Sequence, residues 1–131
     1  MTWLLDVSVL VAHLVVSHEH HEPVAAWRAE KTLALCPITE LGFLRVVCAL
    51  GFSMEDARAT LAEFIQAEQP LFIPCDRRAL DGPAARSARK TTDIYLAELA
   101  ASRGWKLAPL DTGIEHRAAE IIAGLPRNPS A

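Results

Sequence analysis

The stretch Trp3-Leu4-Leu5-Asp6-Val7-Ser8-Val9-Leu10-Val11-Ala12-His13 changes its pattern at the aspartate, and that change decides the fold. Up to Asp6 the residues form a short apolar run, the pattern of a central strand buried on both faces. Beyond it Ser8 offers a capping hydroxyl, and Val9, Leu10, Ala12, His13 and Val16 recur at helical spacing. A strand that runs straight into a helix is the opening of an α/β unit.

The same alternation continues down the chain. His18 to Glu22 is polar and breaks the first helix, and Pro23 suits the first turn of a second one running to about Lys31. Thr32 to Cys36 is a second strand. Pro37 opens a third helix, ended by Gly51, in which Leu41, Leu44, Val47 and Cys48 share one apolar face. Ser53, with Asp56 three residues on, caps a helix whose apolar face includes Ala57, Leu61, Phe64 and Ile65. Leu71 to Cys75 is a strand that Pro70 and Pro74 confine to a short or edge position.

Residues 76–90 carry no clear period, with a turn at Gly82-Pro83. Thr92 caps a helix through Ile94, Leu96, Leu99 and Ala100 that ends near Gly104. Trp105 to Leu110 is a fourth strand, and Ile114 to Ile122 a final short helix. The expected fold is a three-layer α/β/α domain over residues 1–123, with a mostly parallel sheet of four or five strands, followed by a flexible tail at 124–131.

Composition bounds the function. The 131 residues are 51% hydrophobic, enough for one buried core. Sixteen acids against 13 bases give a net charge of −3, unlike a general nucleic-acid-binding surface unless the acids are gathered in one place. Cys36, Cys48 and Cys75 are scattered, which suits reduced thiols and neither a disulfide framework nor a zinc site. Trp3 to Val16 is apolar but interrupted by Asp6, Ser8 and His13, with no basic residue before it. Its length of about 14 residues falls short of the roughly 20 that span a bilayer. The expectation is a cytoplasmic protein.

The acids are in fact placed to gather. Asp6 ends the first strand and Asp111 follows the last, while Glu40 and Asp93 fall near the first turns of helices. In a parallel sheet, strand C-termini and the N-termini of the following helices share the edge where ligands bind. Two carboxylates about 4 Å apart repel by roughly 4 kcal/mol at an effective dielectric of about 20. Helix N-termini offset about 0.3–1 kcal/mol each. A divalent cation or raised pKa values must supply the rest, and oxygen-only donors point to Mg²⁺ or Mn²⁺. Such ions promote phosphodiester hydrolysis. The bland alternative is that Asp6, Glu40 and Asp93 merely serve helix dipoles while Asp111 is a turn residue.

Four local patterns sharpen the choice. Leu4-Leu5-Asp6-Val7-Ser8-Val9-Leu10-Val11-Ala12 resembles the opening motif of PIN-domain ribonucleases, particularly the VapC-type toxins of toxin–antitoxin pairs. Thr39-Glu40-Leu41-Gly42-Phe43-Leu44-Arg45-Val46 is similar to their second motif, Thr92-Asp93-Ile94-Tyr95-Leu96-Ala97-Glu98-Leu99-Ala100 to the third, and Leu107-Ala108-Pro109-Leu110-Asp111-Thr112-Gly113-Ile114 to the fourth. They occur in family order from Leu4 to Ile114.

The resemblance implies that Asp6, Glu40, Asp93 and Asp111 bind one or two Mg²⁺ or Mn²⁺ ions and position an attacking water. It also implies an RNA substrate, a homodimer, and inhibition by a cognate antitoxin whose C-terminal segment wraps the toxin. Two positions depart from the pattern: Ser8 stands where many relatives have Asn, and Pro109 where Thr or Ser is common. Neither removes a ligand.

Ser8, Thr39 and Thr112 are candidates to support the acids, and Arg45, Arg89 and Lys90 to meet RNA phosphate. For Arg86, Arg89 and Lys90 a solvated loop is the alternative, and for Arg45 an ion pair. Tyr95 faces either the core or an exposed base. His18, His20 and His21 read as a solvated loop without the ligand spacing of a metal site, and His13 and His116 as structural. Val11, Leu14, Val15, Val24 and Trp27 offer apolar surface for a partner groove or an ordinary core.

Two rivals remain at this point. One keeps the fold for RNA maturation or DNA flap cleavage. The other is a non-catalytic or receiver-like acidic-site module, which needs a Lys late in the chain near the acidic edge, whereas Lys106 begins a strand.

Overall fold

The computed structural model describes residues 1–110, 114, 116–120 and 122. Asp111 and Thr112, and the expected tail at 124–131, lie outside the described residues. Strand β1 (Thr2–Leu5) enters helix α1 (Val7–Leu14), followed by α2 (His21–Arg28), β2 (Thr32–Leu35), α3 (Pro37–Ala49), α4 (Met54–Glu68), β3 (Leu71–Phe72), α5 (Thr91–Ser102) and β4 (Lys106–Ala108).

The strands form one sheet in the order β3-β2-β1-β4, every pairing parallel. β1 is central, its Trp3 registered against Leu33 of β2 and Lys106 of β4. The alternation of strand side chains divides the core in two. Leu5, Leu33, Leu35 and Ala108 pack against the α1–α4 layer, with Val9, Leu10, Phe43, Val47 and Phe64. Leu4, Ala34 and Leu107 turn the other way onto Leu96, Leu99 and Ala100 of α5. This is the expected three-layer α/β/α arrangement. Leu4 and Leu5 are almost wholly buried, each contributing about 1.5–3 kcal/mol.

Several boundaries and faces differ from the sequence expectation. The cap of α1 is Asp6, not Ser8: the Asp6 Oδ1 accepts the Val9 N–H at 2.8 Å, while Ser8 is exposed on the first turn. Helix α3 buries Thr39, Gly42, Phe43 and Val47, and leaves Leu41 67% exposed. The cause is the close approach to α1, where a Cβ on Gly42 would run into the Val7 Cγ2. Only glycine permits that contact, so the buried stripe is turned away from Leu41. On α4, capped by Ser53 as expected, Ile65 also faces outward. Helix α5 begins at Thr91 with Lys90 in the capping position and no side-chain cap, so Thr92 does not cap it.

β3 is the short edge strand that its flanking prolines predict. The described part of the expected last helix is not helical. Ala119 instead bridges in parallel to Leu107, whose N–H donates to the Ala118 carbonyl at 2.8 Å and whose carbonyl accepts the Glu120 N–H at 3.1 Å. Leu107 is fully buried, and its backbone groups on the outer edge of β4 need partners. A one-residue bridge satisfies them. Among the described residues no helix is long and apolar enough to cross a membrane.

Candidate active site

The end of β1 fixes the first carboxylate. Asp6 follows the last strand residue, is 4% exposed, and uses one oxygen to cap α1. Its backbone N–H donates to the Ala108 carbonyl at 3.4 Å, so β1 and β4 both hold its position.

The second carboxylate is tied to the first through a buried threonine. Thr39, on the first turn of α3, donates its hydroxyl to the Leu5 carbonyl at 2.8 Å, one residue before Asp6. The Cys36 Sγ lies 3.5 Å from the same hydroxyl. Thr39 therefore tethers the α3 start to the end of β1. Glu40 follows it, half-buried, with its N–H on the Cys36 carbonyl at 3.1 Å. Burial pushes the Glu40 carboxyl above the usual carboxylate range.

The third carboxylate, Asp93, is half-buried on the first turn of α5. That helix leads back to the start of the parallel strand β4, so its N-terminus lies at the same sheet edge as Asp6 and Glu40. Tyr95 is not a free ring: its hydroxyl donates to the Arg77 carbonyl at 2.7 Å, holding the 77–85 loop against α5.

Beside these turns opens a cleft of about 580 Å³, lined by Ile38 of α3, by Thr92, Ile94 and Tyr95 of α5, and by the loop that carries Arg77 and Asp81. Residues 76–90 have no sequence period, so nothing in their pattern announces this wall.

Three carboxylates thus stand at the starts of three helices at one edge of the sheet, Asp6 in the capping position and Glu40 and Asp93 on first turns. Among the described residues no three His, Cys, Asp or Glu side chains converge tightly enough to enclose a metal ion. Asp6, Glu40 and Asp93 are hard oxygen donors, the chemistry that Mg²⁺ accepts, but in this arrangement they do not by themselves enclose an ion.

Ser8 is exposed one turn from Asp6, and Arg45 is exposed on α3 with no ion pair among the described residues. Arg89 and Lys90 lie on a 3₁₀ turn (Ala88–Lys90) leading into α5. His18, His20 and His21 join no metal-holding group among the described residues. The His18 Nδ1 accepts the His20 N–H, and the His21 Nδ1 contacts the Ala12 carbonyl.

One network has no counterpart in the sequence reading. His116 is nearly buried; its Nδ1 accepts the Ala118 N–H, which leaves Nε2 to donate to Glu98 at 2.8 Å. Arg77 completes the group, 3.6 Å from the other Glu98 oxygen. Their sequence separation hid it: His116 stands 18 residues from Glu98.

The apolar residues of the early helices belong mostly to the core, where Val11, Val15, Val24 and Trp27 are buried. The exposed apolar surface lies next to them. Leu14, Val15, Val16, Phe43, Val47 and Phe52 line a groove of about 410 Å³, with Val16 77% exposed at its mouth.

Comparison with known proteins agrees with the fold. The family model for the PIN domain matches residues 3–121. Ribonuclease VapC29 of Mycobacterium tuberculosis is 33% identical over 131 residues, covering 96% of this chain and 98% of that protein. Ribonuclease VapC38 of the same organism is 36% identical over 121 residues, covering 85% and 86%. Among solved structures, VapBC2 from Rickettsia felis, bound to a DNA fragment from its promoter, matches with a TM-score of 0.64 at 13% identity. It covers 92% of this chain and 98% of that one, a likeness of fold.

Proposed function

The chain belongs to the PIN-domain family, and on that premise we propose that it is a metal-dependent endoribonuclease acting as the toxin of a VapBC-type toxin–antitoxin pair. The observation that carries the reading is the placement of Asp6, Glu40 and Asp93 on three helix starts at one sheet edge. The ribonuclease names of relatives aligned over nearly the whole chain support it.

Asp6, Glu40 and Asp93 would hold Mg²⁺ or Mn²⁺, with Asp111 as a fourth carboxylate. The bound ion supplies Lewis-acid stabilisation of charge on the phosphodiester. Asp6, locked by its cap and by β4, fixes the reference point of the site. Thr39 holds the α3 turn so that Glu40 stays beside it. Arg89, exposed on the turn that leads into α5, would offer a cation to the RNA backbone beside Asp93.

The antitoxin would lay an apolar segment along the Val16–Phe52 groove, and the toxin would work as a cytoplasmic homodimer. The catalytic unit would be residues 1–123. The test is sequencing of RNA ends after brief induction. New ends are expected with the wild type and none with Asp93→Asn. Identical end profiles overturn the ribonuclease reading.

A further inference from the structure

We infer that the cleft between the first turns of α3 and α5 and the 77–85 loop is a subsite for one unpaired nucleobase of the RNA, adjacent to the phosphate being cut. This rests on the ribonuclease reading and adds where the substrate is read.

The position argues first. Ile38 lies two residues before Glu40, and Ile94 directly follows Asp93, so the cleft shares its helix turns with two of the carboxylates. A strand with a phosphate at those carboxylates carries its neighbouring base to this wall. The lining argues second. Ile38, Pro83, Ala85 and Ile94 offer apolar surface to a π-face, while Arg77 and Asp81 place a cation and an anion where a base edge carries acceptors and donors.

A phosphate would find an unwelcome carboxylate at Asp81, and a purely apolar chain would pair neither the free Asp81 oxygen nor the guanidinium N–H groups that Arg77 keeps beyond its contact with Glu98. The volume of about 580 Å³ lies within the range of small-ligand sites. Recognition of this kind needs an unstacked base, hence single-stranded RNA. Tyr95, whose hydroxyl is engaged by the Arg77 carbonyl, serves as a rigid back wall.

The test is binding to the full chain, independent of cleavage. Ile-methyl NMR spectra are recorded with 2′-O-methyl hexanucleotides of A, C, G or U, and with an abasic 2′-O-methyl hexamer. The Ile38 and Ile94 methyls are expected to shift with at least one base-bearing hexamer. The abasic hexamer should bind at least tenfold more weakly and leave those methyls unmoved. Ile122, fully buried in the core on the α1–α4 side of the sheet, serves as the control. Ala85→Trp, which fills the cleft, should remove the base-dependent gain. Silent Ile38 and Ile94 methyls with all four bases, or equal shifts with the abasic hexamer, overturn the subsite. Those results leave RNA-end profiles untouched, so the subsite and the ribonuclease reading fail separately.

Discussion

Asp6 carries two duties at once: one oxygen caps α1, and its charge belongs to the proposed centre. Substitutions separate them. Asp6→Asn keeps a capping oxygen, so stability should stay within about 0.5 kcal/mol while RNA cleavage is lost. Asp6→Ala should lose activity and also about 0.5–2 kcal/mol in urea unfolding. If Asp6→Asn retains full cleavage, its charge is not used. Thr39→Val leaves the buried Leu5 carbonyl without its donor and should cost about 1–3 kcal/mol, read by the same unfolding curve.

Glu98 gives the pH prediction. The His116 hydrogen bond holds its carboxyl below the ordinary value of 4.5, against the opposing effect of burial. Its folded-state pKa is therefore depressed. The stabilisation is complete above 4.5 and is lost as pH falls through the folded-state value. Glu98→Gln should melt below the wild type at pH 7, with the gap closing on acidification. A gap that stays constant down to pH 3 would contradict the assignment.

At the scale of elements, α3 is decided by one glycine. Gly42→Ala gains up to about 1 kcal/mol of helix propensity but meets the Val7 side chain, so a net loss of about 1–3 kcal/mol is expected. Val7→Ala in the same chain should recover part of it; two additive losses would show that the contact is not the cause.

The same glycine explains why the α3 face was misread. Periodicity assigned Leu41 to the core, but a local pattern does not register a backbone approach from α1, 35 residues away in sequence. Asp6 was misassigned in the same way, with the cap given to Ser8 when the strand-ending acid makes it. The edge placement of β3 fared better because the prolines around Leu71–Phe72 act locally. The Ala119 bridge was illegible, since it answers a need of the β4 edge that no residue near Ala119 announces.

At the scale of the molecule, the parallel sheet brings three distant helix starts to one edge. Asp6, Glu40 and Asp93 could be nominated from sequence because each follows a recognisable strand or opens a recognisable helix. The cleft beside them could not, because its wall is an aperiodic loop held by Tyr95 and Glu98. Binding linked to folding gives a whole-molecule prediction. Mg²⁺ or Mn²⁺ at about 100 times its dissociation constant should stabilise the protein by about 2.7 kcal/mol. That corresponds to a rise of roughly 8–13 °C in Tm for a domain of this size, absent in Asp93→Asn. An equal rise in both proteins would place the ion elsewhere.

The most direct measurement is a Mn²⁺ titration followed by electron paramagnetic resonance, comparing the purified, partner-free wild type with Asp6→Asn and Asp93→Asn. Saturable Mn²⁺ binding is expected in the wild type, weakened at least tenfold by either substitution while both variants remain folded. Equal affinity in all three proteins, or no binding by the wild type, would contradict a metal centre built from these carboxylates.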